Sequence, residues 1–119
     1  QKRVFYLTHD VTAALKTGRN AVGVVLGNGW FNLVIPHTLR YYAADYIAPP
    51  QLRLDLDIEY TDGSHKIIGS DESWTFTTDG PIRFNSILSG ETYDARLEMP
   101  GWASAGFNDA RWQPARPAT

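Results

Sequence analysis

Four ionisable side chains, Glu91, Tyr93, Asp94 and Arg96, fall within the seven residues Gly90-Glu91-Thr92-Tyr93-Asp94-Ala95-Arg96, and Gly101-Trp102 follows shortly after. Two kinds of chemistry suit such a group. Paired carboxylates can share acid and base work across a glycosidic bond when they stand ~5–5.5 Å or ~6.5–9.5 Å apart. Glu91 and Asp94 are near enough in sequence for either distance, although nearness in sequence does not by itself place them on one substrate. Alternatively, a carboxylate and the Arg96 guanidinium form a bidentate ion pair that staples the loop to neighbouring backbone donors, with Tyr93 in the core and its hydroxyl satisfied. No helical or strand period runs through the segment. We read the cluster chiefly as a polar staple, with ligand contact by its members as the second reading.

Other chemistries find no support. The chain has no glycine-rich phosphate loop, no Gly-x-Ser-x-Gly elbow and no His-Glu-x-x-His helix. His9, His37 and His65 lie far apart without metal-ligand spacing, and read as surface or turn residues. Cysteine is absent, which removes disulfides and thiolate chemistry. Lys and Arg number 11 against 13 Asp and Glu, with no run of one sign, so the footprint of a nucleic-acid or anionic-membrane partner is missing. No apolar stretch approaches the ~20 residues of a membrane span, and no signal peptide is visible. The chain opens on Gln1, as expected of a mature or excised piece. Aromatic residues are plentiful (4 Trp, 6 Tyr, 5 Phe), which suits strands and also stacking on sugar rings.

Strands must position these side chains. Over 51–60, Leu52, Leu54, Leu56, Ile58 and Tyr60 alternate with Arg53, Asp55, Asp57 and Glu59, the period of two that gives a strand one wet face. Thr61-Asp62-Gly63-Ser64 turns the chain, with Gly63 supplying a positive φ, and 65–69 returns as the hairpin partner. Such a hairpin needs more strands and a second layer to be stable. Further strands are expected over 4–8, 21–26, 73–77 and 82–88. One helical turn is expected over 11–17, capped by Thr12 and closed by Gly18. The sum is an all-β chain, an antiparallel β-sandwich of the jelly-roll, galactose-binding-like kind with one short helical turn. The segment 31–50, with Pro36, Pro49, Pro50, Tyr41, Tyr42 and Tyr46, reads as a long connection across one end. Residues 1–112 form the domain, and 113–119 read as a linker toward a further domain.

In order and spacing, the motifs resemble the N-terminal β-sandwich module of bacterial α-L-rhamnosidases. They run Tyr6-Leu7-Thr8-His9-Asp10-Val11-Thr12, Leu15-Lys16-Thr17-Gly18-Arg19-Asn20-Ala21 and Leu26-Gly27-Asn28-Gly29-Trp30-Phe31, then Tyr60-Thr61-Asp62-Gly63-Ser64 and Ser70-Asp71-Glu72-Ser73-Trp74. Gly80-Pro81-Ile82, the 90–96 cluster, Gly101-Trp102 and Phe107-Asn108-Asp109-Ala110-Arg111-Trp112 complete the set. Asp-Val-Thr followed by Leu-Lys-x-Gly-x-Asn is also similar to the sugar-binding sandwich of β-galactosidase-like hydrolases. Gly-Asn-Gly-Trp together with Gly-Glu-x-Tyr-Asp-Ala-Arg is the specific part.

The resemblance implies a secreted or periplasmic parent enzyme that hydrolyses terminal α-L-rhamnosides with inversion. Its catalytic residues would sit on a downstream (α/α)₆ barrel, with this chain a non-catalytic piece packed against that barrel. It also implies strand material before Tyr6, so that one edge strand is missing or supplied by a neighbouring segment. Some family members use this kind of module for calcium-dependent binding of rhamnose, with the 27–30 loop as the place to look. In this chain Asn28 is followed by Gly29, where an acidic residue would serve calcium better. Asn28-Gly29-Trp30 is then either a tight turn with Trp30 in the core, or a site where Asn28 bonds sugar hydroxyls and Trp30 stacks. The sugar-binding candidates are Asn28, Trp30, Glu91, Tyr93, Asp94, Arg96 and Trp102. Calcium at Asn28 is the one cofactor the resemblance allows, and a rhamnose-containing glycan and the catalytic barrel are the partners it implies.

Overall fold

The alternation over 51–60 needs a partner strand, and Gly63 lets the chain fold back at once to provide one. The computed structural model describes residues 5–33 and 46–118. It pairs β1 (Asp55–Glu59) antiparallel with β2 (His65–Gly69), from Asp55 opposite Gly69 to Glu59 opposite His65. Leu56 and Ile58 are half-buried while Asp55, Asp57 and Glu59 face water, as the alternation requires. The connecting turn closes through Tyr60 N–H to Ser64 O at 2.8 Å and Gly63 N–H to Tyr60 O at 2.9 Å. Gly63 has φ +80°, a conformation in which a side chain would be strained. Asp62 accepts from both the amide and the hydroxyl of Ser64, and these bonds hold its carboxyl below the usual range. Beyond the ladder, Leu54 still exchanges bonds with Ser70.

Two further ribbons follow. β4 (Ile82–Ser86) pairs antiparallel with β5 (Gly90–Tyr93), with a register irregularity between Ile82 and Phe84. β3 (Thr75–Phe76) pairs antiparallel with β6 (Gln113–Pro114), and Ala115 N–H adds a bond to Trp74 O at 2.7 Å. Thr75 also donates to Asp109, and the rings of Phe107 and Trp112 meet at 5.6 Å and 57°, which fastens this ribbon to the C-terminal turns. This is the all-β, antiparallel composition of a β-sandwich, present among the described residues as three two-stranded ribbons. No helix among them is long and apolar enough to cross a membrane.

Several elements differ from expectation. The helical turn shrinks to a 3₁₀ turn at Thr12–Ala14, so Thr12 lies inside it instead of capping it; its N-cap is Val11, which makes no side-chain cap bond, and Asp10 Oδ1 accepts the Thr12 amide at 2.9 Å. A second 3₁₀ turn, Ala95–Leu97, forms where none was foreseen. The 90–96 segment, which has no strand period, nevertheless holds β5, because pairing with β4 supplies what propensity does not. Residues 113–115, expected as linker, are instead tied to 74–76, since Gln113 and Ala115 lie beside an open strand edge. The expected strands over 5–8 and 21–26 join no ladder among the described residues. Residues 34–45 of the long connection, with Pro36, His37, Tyr41 and Tyr42, lie outside the described residues, as does Val4.

The core is small. Leu33 is the one buried apolar side chain among the described residues. The radius of gyration is 17.3 Å, against about 13.5 Å for a compact chain of this length.

Candidate functional site

The polar residues singled out in the sequence converge on the β4–β5 ribbon. Glu91 and Tyr93 are two apart on β5 and so share a face, and Glu91 stands opposite Asn85 of β4. Asn85 in turn holds the 28–32 turn. Its Oδ1 accepts the Asn28 amide at 3.2 Å, and its backbone oxygen accepts Asn28 Nδ2 at 2.6 Å. Asn28 Oδ1 accepts Asn32 Nδ2 at 2.8 Å, and Asn28 O accepts the Asn32 amide at 2.9 Å. Asn28 is thus bonded through its main chain and both ends of its side-chain amide. Gly27 fits because a Cβ there would sit 3.3 Å from Asn85 Oδ1.

The Asp94–Arg96 staple forms as the sequence suggested. Asp94 Oδ1 accepts Arg96 Nε at 2.8 Å and Oδ2 accepts Nη2 at 2.6 Å, a bidentate pair. The same carboxylate accepts the Arg96 amide at 3.1 Å and so caps the 3₁₀ turn. The Arg96 side-chain bond, followed by its amide, holds the Asp94 carboxyl below the usual range, with Arg83 adding to the effect. A carboxyl held so remains ionised near neutrality and is unsuited to donate a proton. Asp94 N–H bonds Pro81 O at 2.8 Å, so the staple continues the β4–β5 ladder.

Tyr93 departs from the expected core position. It is half exposed, and its hydroxyl donates to Glu98 Oε1 at 2.8 Å. That bond, with desolvation and the charges of Glu98 and Glu91, raises the phenol above its ordinary value. Glu91 is exposed and makes no hydrogen bond through its side chain among the described residues. Trp30 lies open to solvent rather than in the core. Trp102 is half-buried elsewhere: a Cβ at Gly23 would fall 2.7 Å from Ala103 Cβ and closer still to the Trp102 ring. The Trp102 ring therefore lies against the backbone of the 21–27 segment, and no hydrogen bond or ring contact joins it or Trp30 to Glu91, Tyr93 or Asp94 among the described residues.

Calcium does not fit this turn. The cation takes 6–8 oxygen ligands, whereas the only side-chain oxygen of Asn28 already faces an N–H donor. Among the described residues no three His, Asp or Glu side chains gather as ligands. Among the described residues, one cleft of about 520 Å³ runs along Val11, Leu15, Leu56, Ile58 and Tyr60, and another of about 300 Å³ lies beside Met99, Phe107 and Trp112. Neither is lined by any of the seven candidate residues. Sequence reasoning missed Asn85, Asn32 and Glu98. Asn85 left a signal, a polar amide in the middle of a strand where Asn is disfavoured.

Comparison with known proteins places the chain in a family. The model of the α-L-rhamnosidase N-terminal domain matches residues 1–119. The chain belongs to the α-L-rhamnosidase N-terminal domain family. It is 40% identical over 116 residues to an α-L-rhamnosidase of Formosa agariphila, a match covering 93% of this chain and 12% of that protein. It is 39% identical over 122 residues to one from Streptomyces avermitilis, covering 99% of this chain and 11% of the relative. The chain thus spans about an eighth of the curated relatives it matches. Among solved structures, the α-L-rhamnosidase of Dictyoglumus thermophilum matches with TM-score 0.62 and 39% identity over 78% of this chain and 9% of that one. The Streptomyces avermitilis enzyme, solved in complex with L-rhamnose, matches with TM-score 0.51 and 47% identity over 54% of this chain and 6% of its own.

Proposed function

We propose that this family member is a non-catalytic accessory domain of an α-L-rhamnosidase that hydrolyses terminal α-L-rhamnosides, and that its work is to dock on the remainder of that enzyme. The observation that carries the reading is the exposed apolar surface. Phe5, Tyr6 and Leu7 are 84%, 87% and 85% exposed, and Val22, Val25, Leu26, Trp30 and Ile67 also face solvent. A soluble chain keeps so much apolar surface only where something covers it. The ionisable cluster supports the non-catalytic part, because Asp94 is spent on Arg96 and Tyr93 on Glu98. In the full-length enzyme, Glu91→Gln and Asp94→Asn should each leave kcat on a chromogenic α-L-rhamnoside within about threefold. A loss of three orders of magnitude in kcat in a folded variant would make that carboxylate catalytic and end this reading.

Carbohydrate contact is a second reading, favoured by the open ring of Trp30 and by the exposed carboxylate of Glu91, which makes no hydrogen bond among the described residues. Calorimetric titration of full-length enzyme with L-rhamnose, comparing wild type with Trp30→Ala, tests it. An unchanged number of sites and unchanged heats would remove it.

A further inference from the structure

We propose that Asn28–Gly29 is a self-modification site, at which the Gly29 nitrogen and water convert the Asn28 side-chain amide to a carboxylate, and that Asn85 and Asn32 form the latch that sets its rate. Of the five asparagines only Asn28 precedes a glycine, the others being followed by Ala21, Leu33, Ser86 and Asp109. Glycine has no Cβ to shield its nitrogen from the preceding side chain. Gly29 N–H makes no hydrogen bond among the described residues, and a Cβ on Gly29 would meet nothing within 4 Å. The nucleophile is therefore unhindered.

The step is a ring closure. The Gly29 nitrogen gives its proton to solvent and bonds to Asn28 Cγ. The Cγ–Nδ2 bond breaks, and Nδ2 takes a proton from solvent and leaves as ammonia. Water then opens the cyclic imide at either carbonyl, giving aspartate or isoaspartate. One water is taken up, one ammonia is released, and nothing is oxidised or reduced. The Asp-Gly pairs at 62–63 and 79–80 present a carboxyl in place of the amide and have no ammonia to lose.

What the fold adds is restraint. Attack requires Cγ within about 3–3.5 Å of the Gly29 nitrogen, with the face of the amide turned toward it. Both ends of that amide are held, Nδ2 by Asn85 O at 2.6 Å and Oδ1 by Asn32 Nδ2 at 2.8 Å. The peptide unit that carries the Gly29 nitrogen is held as well, because Asn28 O accepts the Asn32 amide at 2.9 Å. Ring closure swings Cγ out of this frame, so it proceeds from the open turn and its rate follows the opening equilibrium. The product cannot latch again. A carboxylate has no donor for Asn85 O, and isoaspartate adds a methylene to the main chain between the bonded Asn28 N–H and its carbonyl. Conversion is therefore one-way.

The test is ageing of full-length enzyme at mildly alkaline pH, followed by trypsin and mass spectrometry of peptide 20–40, which carries Asn20, Asn28 and Asn32 together. In guanidinium-unfolded enzyme Asn28 should convert ahead of Asn20 and Asn32. In native enzyme its conversion should be slower by at least about fivefold, the effect of two hydrogen bonds. Asn32→Ala removes one of the two, and should quicken native conversion about 2–13-fold while leaving the unfolded rate unchanged. Conversion of Asn28 no faster than that of Asn20 in the unfolded enzyme would overturn the site. Equal native and unfolded rates, a comparison that needs no variant, would overturn the latch. So would a folded Asn32→Ala enzyme that ages at the wild-type rate.

Discussion

Replacing Asn28 by alanine separates a structural staple from a ligand residue. The change deletes two side-chain hydrogen bonds, Nδ2 to Asn85 O at 2.6 Å and Asn32 Nδ2 to Oδ1 at 2.8 Å. At ~0.5–1.5 kcal/mol net for each, the 28–32 turn loses about 1–3 kcal/mol against local opening. That corresponds to about 5–150-fold in the opening equilibrium. The Asn32 amide, bonded to Asn28 O, is the probe, and its native-state exchange in full-length enzyme should quicken by that factor. Asn28→Asp sharpens the test. It keeps an acceptor for Asn32 but sets a carboxylate oxygen against the Asn85 carbonyl, so it should open the turn at least as much as alanine does. A calcium or sugar ligand would behave in the opposite way, since aspartate is the better calcium donor. Unchanged Asn32 exchange in Asn28→Ala, or calcium-dependent stabilisation of Asn28→Asp, would refute the staple.

Three other outcomes are expected. Gly23→Ala should destabilise the domain by about 1–3 kcal/mol through overpacking on Trp102, while Gly80→Ala, whose new methyl meets only Met99 at 3.5 Å, should leave the melting temperature nearly unchanged. Arg96→Ala should move the Asp94 carboxyl upward toward its ordinary value in a carbon-detected titration. Because the folded carboxyl is held low, the stability it contributes is present above the unfolded value and is lost as pH falls through the folded one. In Arg96→Ala that acid-limb dependence should shrink, and a titration that does not move would remove Arg96 as the cause. Glu98→Gln should bring the Tyr93 phenol down toward its ordinary value in an ultraviolet titration, and an unmoved midpoint would show that Glu98 does not set it.

Much of the site was legible residue by residue. Asp94 and Arg96 are two apart, so their pair needs only a local turn to form. Tyr93 leaves the expected core position because its partner, Glu98, lies past a 3₁₀ turn that no period announces. The partner of Asn28, Asn85, is 57 residues away, so no local pattern announces their bond.

The β1–β2 hairpin, the Gly63 turn and the all-β class follow from local pattern alone, since a period of two and a required positive φ act over neighbouring residues. Motif order likewise carried the family. Long-range contacts in the folded chain settle the rest: β5 pairs with β4, Gln113–Pro114 closes on Thr75–Phe76, and Asn28 is held by Asn85. Those choices satisfy polar groups across long stretches of chain, and no local pattern encodes which distant partner will be within reach.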